Sequence, residues 1–147
     1  MSVSARNQLH GKVSAVHHGS VNDEIEISLN NGGTLVSVVT SNSRIRLGLE
    51  QGKEVVALIK APWIILASED NGMLFSARNQ FPGKITSLEK GAVNATIHLL
   101  TDEGTNLTAV ITNESMVEMD LNEGKRVIAL IKASSVLLAV KQPDVSA

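Results

Sequence analysis

Glu24-Ile25-Glu26-Ile27-Ser28-Leu29-Asn30-Asn31-Gly32-Gly33 decides the fold class. Its Ile and Leu residues alternate with Glu and Ser, the two-residue period of a strand with one buried and one wet face. Asn30-Asn31-Gly32-Gly33 then supplies residues that accept the positive φ of a hairpin turn. On either side the chain runs in short aliphatic stretches punctuated by Gly and Asn. Leu9 to Val16, Thr34 to Thr40, Glu54 to Lys60 and Ile64 to Ala67 are predicted strands. Ser41 to Glu50 departs from this pattern, because Thr40 or Ser41 can cap a short helix carrying Ile45, Leu47 and Leu49. An all-β unit of five strands, with one short helix between the third and fourth, predicts a partly open, OB-like barrel.

Further outward, the whole unit recurs. Ser4-Ala5-Arg6-Asn7-Gln8 returns as Ser76-Ala77-Arg78-Asn79-Gln80, and Ala57-Leu58-Ile59-Lys60-Ala61 as Ala129-Leu130-Ile131-Lys132-Ala133. Between these ends Gly11-Lys12, Gly19, Val21-Asn22, Thr40, Ser43 and Gly52-Lys53 all meet identical partners without a gap. About 40% of aligned positions agree, too many for chance in a chain that is not low-complexity. The expected organisation is a first domain over 1–68, a linker over 69–73, a second domain over 74–141 and a C-terminal tail over 142–147. The polar Ser68-Glu69-Asp70-Asn71-Gly72 stretch marks the joint, and its shortness keeps the copies close.

Composition narrows the function. Thirteen Lys and Arg against fifteen Asp and Glu leave a net charge of −2, so any anion site is local. The absence of cysteine removes disulfides, thiolate metal sites and thiol nucleophiles. Met1 to Arg6 lacks the apolar stretch of a signal peptide, and no later segment approaches a membrane span, so a soluble, cytoplasmic protein is expected. Trp63, Phe75 and Phe81 are the only aromatic residues. The core is therefore expected to be aliphatic, with oligomerisation adding burial.

Which polar groups the chain uses twice is lopsided in sign. Arg6, Lys12, Lys53 and Lys60 meet Arg78, Lys84, Lys125 and Lys132, whereas Asp23 meets Ala95, Glu24 meets Thr96, Glu50 meets Asn122 and Glu54 meets Arg126. The repeated neutral groups, Ser4, Asn7, Gln8, Asn22, Thr40 and Ser43 with their counterparts, are hydroxyls and amides. An unprotonated tetrahedral oxyanion offers only acceptors and needs a shell of donors, which Arg, Lys and hydroxyl groups supply. Molybdate is fully ionised at neutral pH while phosphate keeps a proton much of the time, so a site without an acceptor disfavours phosphate. Lys12 and Lys53 follow turn glycines and are read as solvated surface residues.

Ser-Ala-Arg-Asn-Gln, then Gly-Lys, then Thr-x-x-Ser, closed by Lys-Ala after an aliphatic strand, resembles the Mop (TOBE-type) molybdate-binding domain. The tandem pair resembles the cytoplasmic di-Mop members of that family. The resemblance implies OB-like barrels that exchange strands, molybdate or tungstate as ligand, and a homo-oligomer, a trimer of six domains in a ring. It also implies a role in molybdenum homeostasis, as a buffer or store. Ser4, Arg6, Lys60 and Ala61 would face Thr40 and Ser43 of a neighbour, and Ser76, Arg78, Lys132 and Ala133 would face Thr112 and Ser115. The loop residues Val21, Asn22, Val93 and Asn94 serve either a required turn or a second class of site near a threefold axis. Relatives carrying a DNA-binding helix-turn-helix or a transporter ATPase exist, and this chain is expected to have room for neither. Pro62-Trp63 stands opposite Ser134-Ser135, so unequal sites are expected.

His17-His18 lie adjacent on a strand, pointing to opposite faces opposite Glu89-Lys90, which argues against a metal-cation site. No Ser, His and acid trio recurs, so no enzyme is expected and no cofactor is required. Two other classes stay open. An OB-like fold that binds single-stranded nucleic acid would use aromatic stacking and a basic groove, which three aromatic residues and a negative charge do not favour. A structural oligomer without ligand would leave the repeated Arg and Lys unexplained.

Overall fold

The computed structural model describes residues 2–143; of the expected C-terminal tail, residues 144–147 lie outside the described residues. Each copy contributes five strands and one helix. They are β1 (Asn7–His17), β2 (Asn22–Leu29), β3 (Thr34–Thr40), α1 (Ser41–Leu47), β4 (Glu54–Ile59) and β5 (Ile65–Ser68), then β6 (Asn79–Lys90), β7 (Asn94–Thr101), β8 (Asn106–Thr112), α2 (Asn113–Glu118), β9 (Arg126–Ile131) and β10 (Leu137–Ala139). The predicted strands are present with ends shifted by a residue or two. The helix ends earlier than expected because Gly48 takes up the left-handed conformation at its C-cap. One-turn 3₁₀ helices at Ala61–Trp63 and Ala133–Ser135 were not foreseen. No helix among the described residues is long and apolar enough to cross a membrane.

The strands form two antiparallel five-stranded sheets, ordered β10-β4-β1-β2-β3 and β5-β9-β6-β7-β8. The fifth strands are therefore exchanged within the chain. β5 pairs with β9, Ile65 opposite Leu130, while β10 pairs with β4, Leu137 opposite Leu58. Each first strand carries a register shift at the same place, Val13/Ala15 and Ile85/Ser87, which bends the strand and helps the sheet curl. In the first sheet the open seam is bridged by a side chain: the buried Ser37 of β3 donates to the carbonyl of Val136, just before β10, at 2.8 Å. That is the partly open barrel the strand order predicts.

The alternation in Glu24–Leu29 buries Ile25, Ile27 and Leu29, and together with Ile97 and Leu99 of β7 they join a core cluster that spans both sheets. Phe81 is the one aromatic residue in that cluster, so the interior is aliphatic as expected. Two features lock the domains together. The β2–β3 and β7–β8 turns touch: a Cβ on Gly32 (φ 124°) would lie 1.9 Å from the Glu103 carbonyl, and one on Gly104 (φ 105°) 2.7 Å from that of Asn31. Thr105 also donates from Oγ1 to the Gly32 carbonyl at 2.7 Å.

The second lock is the Asn of each Ser-Ala-Arg-Asn-Gln motif. Asn79 Oδ1 accepts from the Val36 N–H at 2.7 Å while its Nδ2 donates to the Val36 carbonyl at 2.8 Å and to that of Ile131 at 3.2 Å. Asn7 repeats this against Thr108 at 2.8 and 2.8 Å and against Ile59 at 3.2 Å. Each amide therefore acts as a short piece of strand, pairing with the third strand of the other domain. Both side chains are buried, and each accepts one hydrogen bond and donates two.

Candidate oxyanion-binding site

Antiparallel register brings the cationic residues together. The last rung between β6 and β9 is Asn79 opposite Ile131, and between β1 and β4 it is Asn7 opposite Ile59. One residue beyond each rung stand Arg78 with Lys132 and Arg6 with Lys60. The preceding loop is tied down by Gln80, whose Nε2 donates to the Phe75 and Ala77 carbonyls at 3.0 Å each. Gln8 does the same to Val3 and Ala5, at 3.2 and 3.1 Å. Gln8 and Gln80 thus shape the loops that present Ser4 with Arg6 and Ser76 with Arg78.

Four of the expected second-copy residues, Ser76, Arg78, Lys132 and Ala133, line one open cavity of about 500 Å³. Val38 of β3 comes from across the domain boundary, and Trp63 and Ile65 arrive there through the strand exchange. Ala133 and Ala61 are buried at the starts of their 3₁₀ turns, while Arg6, Arg78, Lys60 and Lys132 are exposed. Among the described residues, Arg78 has a carboxylate partner, Glu24, and Arg6, Lys60 and Lys132 have none within 4.0 Å.

Thr40 and Ser43 are not among the residues lining that cavity. Thr40 caps α1: its Oγ1 accepts from the Ser43 N–H at 3.1 Å and donates to Ser43 Oγ at 2.9 Å. Thr112 and Ser115 repeat both contacts at α2. With Thr40 donating, the Ser43 hydroxyl keeps its own hydrogen for another acceptor. Val21 and Val93 are exposed, and their carbonyls accept from the Ser41 and Asn113 N–H groups at 3.0 and 2.9 Å. Asn22 and Asn94 open β2 and β7 opposite Thr40 and Thr112. The shared loop therefore adjoins each helix start.

Beneath the first of these loops lies a group with no equivalent in the second domain. The buried Asp23 accepts from the Gly19 N–H at 3.0 Å and pairs with Arg44. The Gly19 N–H foremost, and then Arg44 and Ser41, hold its carboxyl below the usual carboxylate range against the opposing effect of burial. A second cavity, of about 480 Å³, borders β4 and β10 and is lined by His10, Lys12, Asn30, Glu54 and Lys141 among others; it contains none of the expected site residues.

The model of the TOBE domain matches residues 3–66 and 76–138, one match per copy. The chain belongs to the TOBE domain family. Molybdenum transport protein ModE of Herbaspirillum seropedicae is 34% identical over 142 residues, 97% of this chain and 53% of that protein. Molybdenum-pterin-binding protein MopA of Rhodobacter capsulatus is 39% identical over 140 residues, 95% of this chain and 53% of that protein. The chain spans about half the length of the curated relatives it matches. Among solved structures, that of the cytoplasmic molybdate-binding protein ModG with molybdate bound is 45% identical, covers 96% of this chain and 100% of that one, and superposes with a TM-score of 0.90. The tandem TOBE pair and its overall fold are thus shared with that structure.

What the residues alone did not reveal is the role of Asn7 and Asn79. Both stand in the inventory of repeated donors, yet the domain boundary consumes them. The available signal was the two-residue period, which puts Asn79 on the same face as Phe81, Gly83 and Ile85, and Asn7 on that of Gly11 and Val13.

Proposed function

We propose that this TOBE pair binds molybdate, or the similarly sized and charged tungstate, reversibly and serves intracellular molybdenum homeostasis as a cytoplasmic buffer or store. The observation that carries the reading is the convergence of Ser76, Arg78, Lys132 and the 3₁₀ turn at Ala133 on one cavity, with Ser4, Arg6, Lys60 and Ala61 in the equivalent register in the other copy. Arg and Lys offset the dianion's charge, and the hydroxyls and backbone N–H groups saturate its remaining oxygens. The similarity to ModG, whose structure holds molybdate, supports the same ligand. No bond is made or broken in this role.

The cationic cavity is open and the Thr40–Ser43 and Thr112–Ser115 hydroxyls lie outside it, so the reading assigns those hydroxyls to cavities of a neighbouring chain. Exposed apolar residues support such an assembly because they recur at matched positions: Val21 and Val93, Ile45 and Val117, Ile65 and Leu137. A side chain left apolar and uncovered in both copies fits an interface better than solvent. We take the assembly to be a trimer, with Val21, Asn22, Val93 and Asn94 as a second class of binding site near its axis.

Titration calorimetry with molybdate, tungstate, sulfate and phosphate, together with light scattering for mass, tests the proposal. Tight binding of the first two, weak binding of the others and the mass of three chains are expected. Equal weak binding of all four would overturn the ligand assignment, and tight binding by a monomer would overturn the shared cavity.

A further inference from the structure

Arg78 is engaged. Its Nη1 is hydrogen-bonded to Oε1 of Glu24, which belongs to β2 of the other domain. Glu24 lies in the rung opposite Val38, and Val38 is the residue of the first domain that lines the Arg78 cavity. The carboxylate therefore stands at the cavity's edge. At the equivalent position of the second copy is Thr96, opposite Val110 in the same register. At this position the two copies differ by one negative charge.

We infer that Glu24 sets the affinity of the Arg78 cavity, making it the weaker of the chain's two oxyanion sites; this rests on the oxyanion reading given above. An oxyanion entering there has to displace Glu24 from Arg78 and then remain near it. Both are acceptors, so no hydrogen bond can join them, and their charges repel. An oxyanion entering beside Arg6 meets a neutral threonine. The sites fill in order, Arg6 before Arg78.

The chain carries its own reporter. Trp63 is the single tryptophan, and it lines the Arg78 cavity, beside Arg78 and Lys132 of the other copy. Its fluorescence reads the site that Glu24 guards, while calorimetry reads both.

Molybdate titrations of the intact protein, Glu24→Gln and Thr96→Glu, each followed by both methods, test the inference. The wild type is expected to bind in two calorimetric phases, the weaker coinciding with the Trp63 change. In Glu24→Gln that phase moves to lower molybdate by roughly three- to tenfold at low salt, less at high salt, because the pair is half exposed and screened. In Thr96→Glu the tighter phase weakens by a similar factor while the Trp63 curve stays in place. A single wild-type phase, or a Glu24→Gln titration that is unmoved or weaker, overturns the inference while leaving molybdate binding intact. No calorimetric binding by any of the three proteins overturns the oxyanion reading and the inference with it.

Discussion

Asn7 and Asn79 make matching bonds across the domain boundary, whereas Arg6 and Arg78, one residue earlier in the same motif, stand in different company. The Asn side chains lie where the domains meet, and each completes the other domain's third strand. A change in one would unpair a buried backbone group with no water to replace it. Arg78 lines an open cavity whose far wall comes from the other copy, and Glu24, which pairs with it there, has Thr96 as its counterpart. The amide lock is kept in both copies, while the partner of the arginine is not.

The largest effect should come from breaking the symmetric part. Asn7→Ala or Asn79→Ala leaves strand groups of the opposite domain unpaired, and each is expected to cost about 3–5 kcal/mol in denaturant unfolding. Near-equal losses support the matched roles, and a difference of more than about 2 kcal/mol would refute them. Next come Arg6→Ala and Arg78→Ala, read as molybdate affinity. Loss of a charge-assisted bond typically removes about 1.5–3 kcal/mol, tenfold or more. The loss at Arg78 should be the smaller, because Glu24 already offsets part of that guanidinium's charge.

A third comparison concerns acid. Asp23 has its pKa lowered in the fold by the Gly19 N–H and Arg44, so its stabilising contribution is full above the unfolded carboxyl value and fades as pH falls through the lower folded one. Ala95 stands in its place in the second domain. Asp23→Asn should therefore lower Tm at neutral pH and flatten the acid limb of the Tm–pH curve, and parallel curves would contradict this. The smallest effect lies at the helix ends. Gly48 has φ 66°, and its counterpart Asp120 is forced to φ 52°. Asp120→Gly should stabilise by about 0.5–1 kcal/mol and Gly48→Asp destabilise by a similar amount, both measured by thermal unfolding.

The strands, the hairpin at Asn30–Gly33 and the duplication were legible because they are written in local periods and in identical strings. Ile64 to Ala67 read correctly as a strand, but nothing in its alternation says which sheet receives it. The chain crosses to the other sheet after the 3₁₀ turn at Ala61–Trp63, and family resemblance rather than pattern pointed to exchange. The cationic pair was legible because register puts Arg and Lys side by side whenever the strands pair. Glu24 was not. Comparing copies retains what recurs and discards what does not, and Glu24 matters because Thr96 replaces it. Asn7 failed in the opposite direction: recurrence marks a residue as needed twice without saying whether a ligand or a strand needs it.

The exchange of β5 and β10 also sets a timetable for synthesis. The first sheet lacks its edge strand until Leu137–Ala139 leaves the ribosome, so a nascent first domain waits with β4 uncovered while residues 60–139 are made. A polypeptide holding one copy, paired in the same way, would borrow that strand from another molecule. Joining two copies turns an encounter between molecules, dependent on concentration, into a step each chain completes alone.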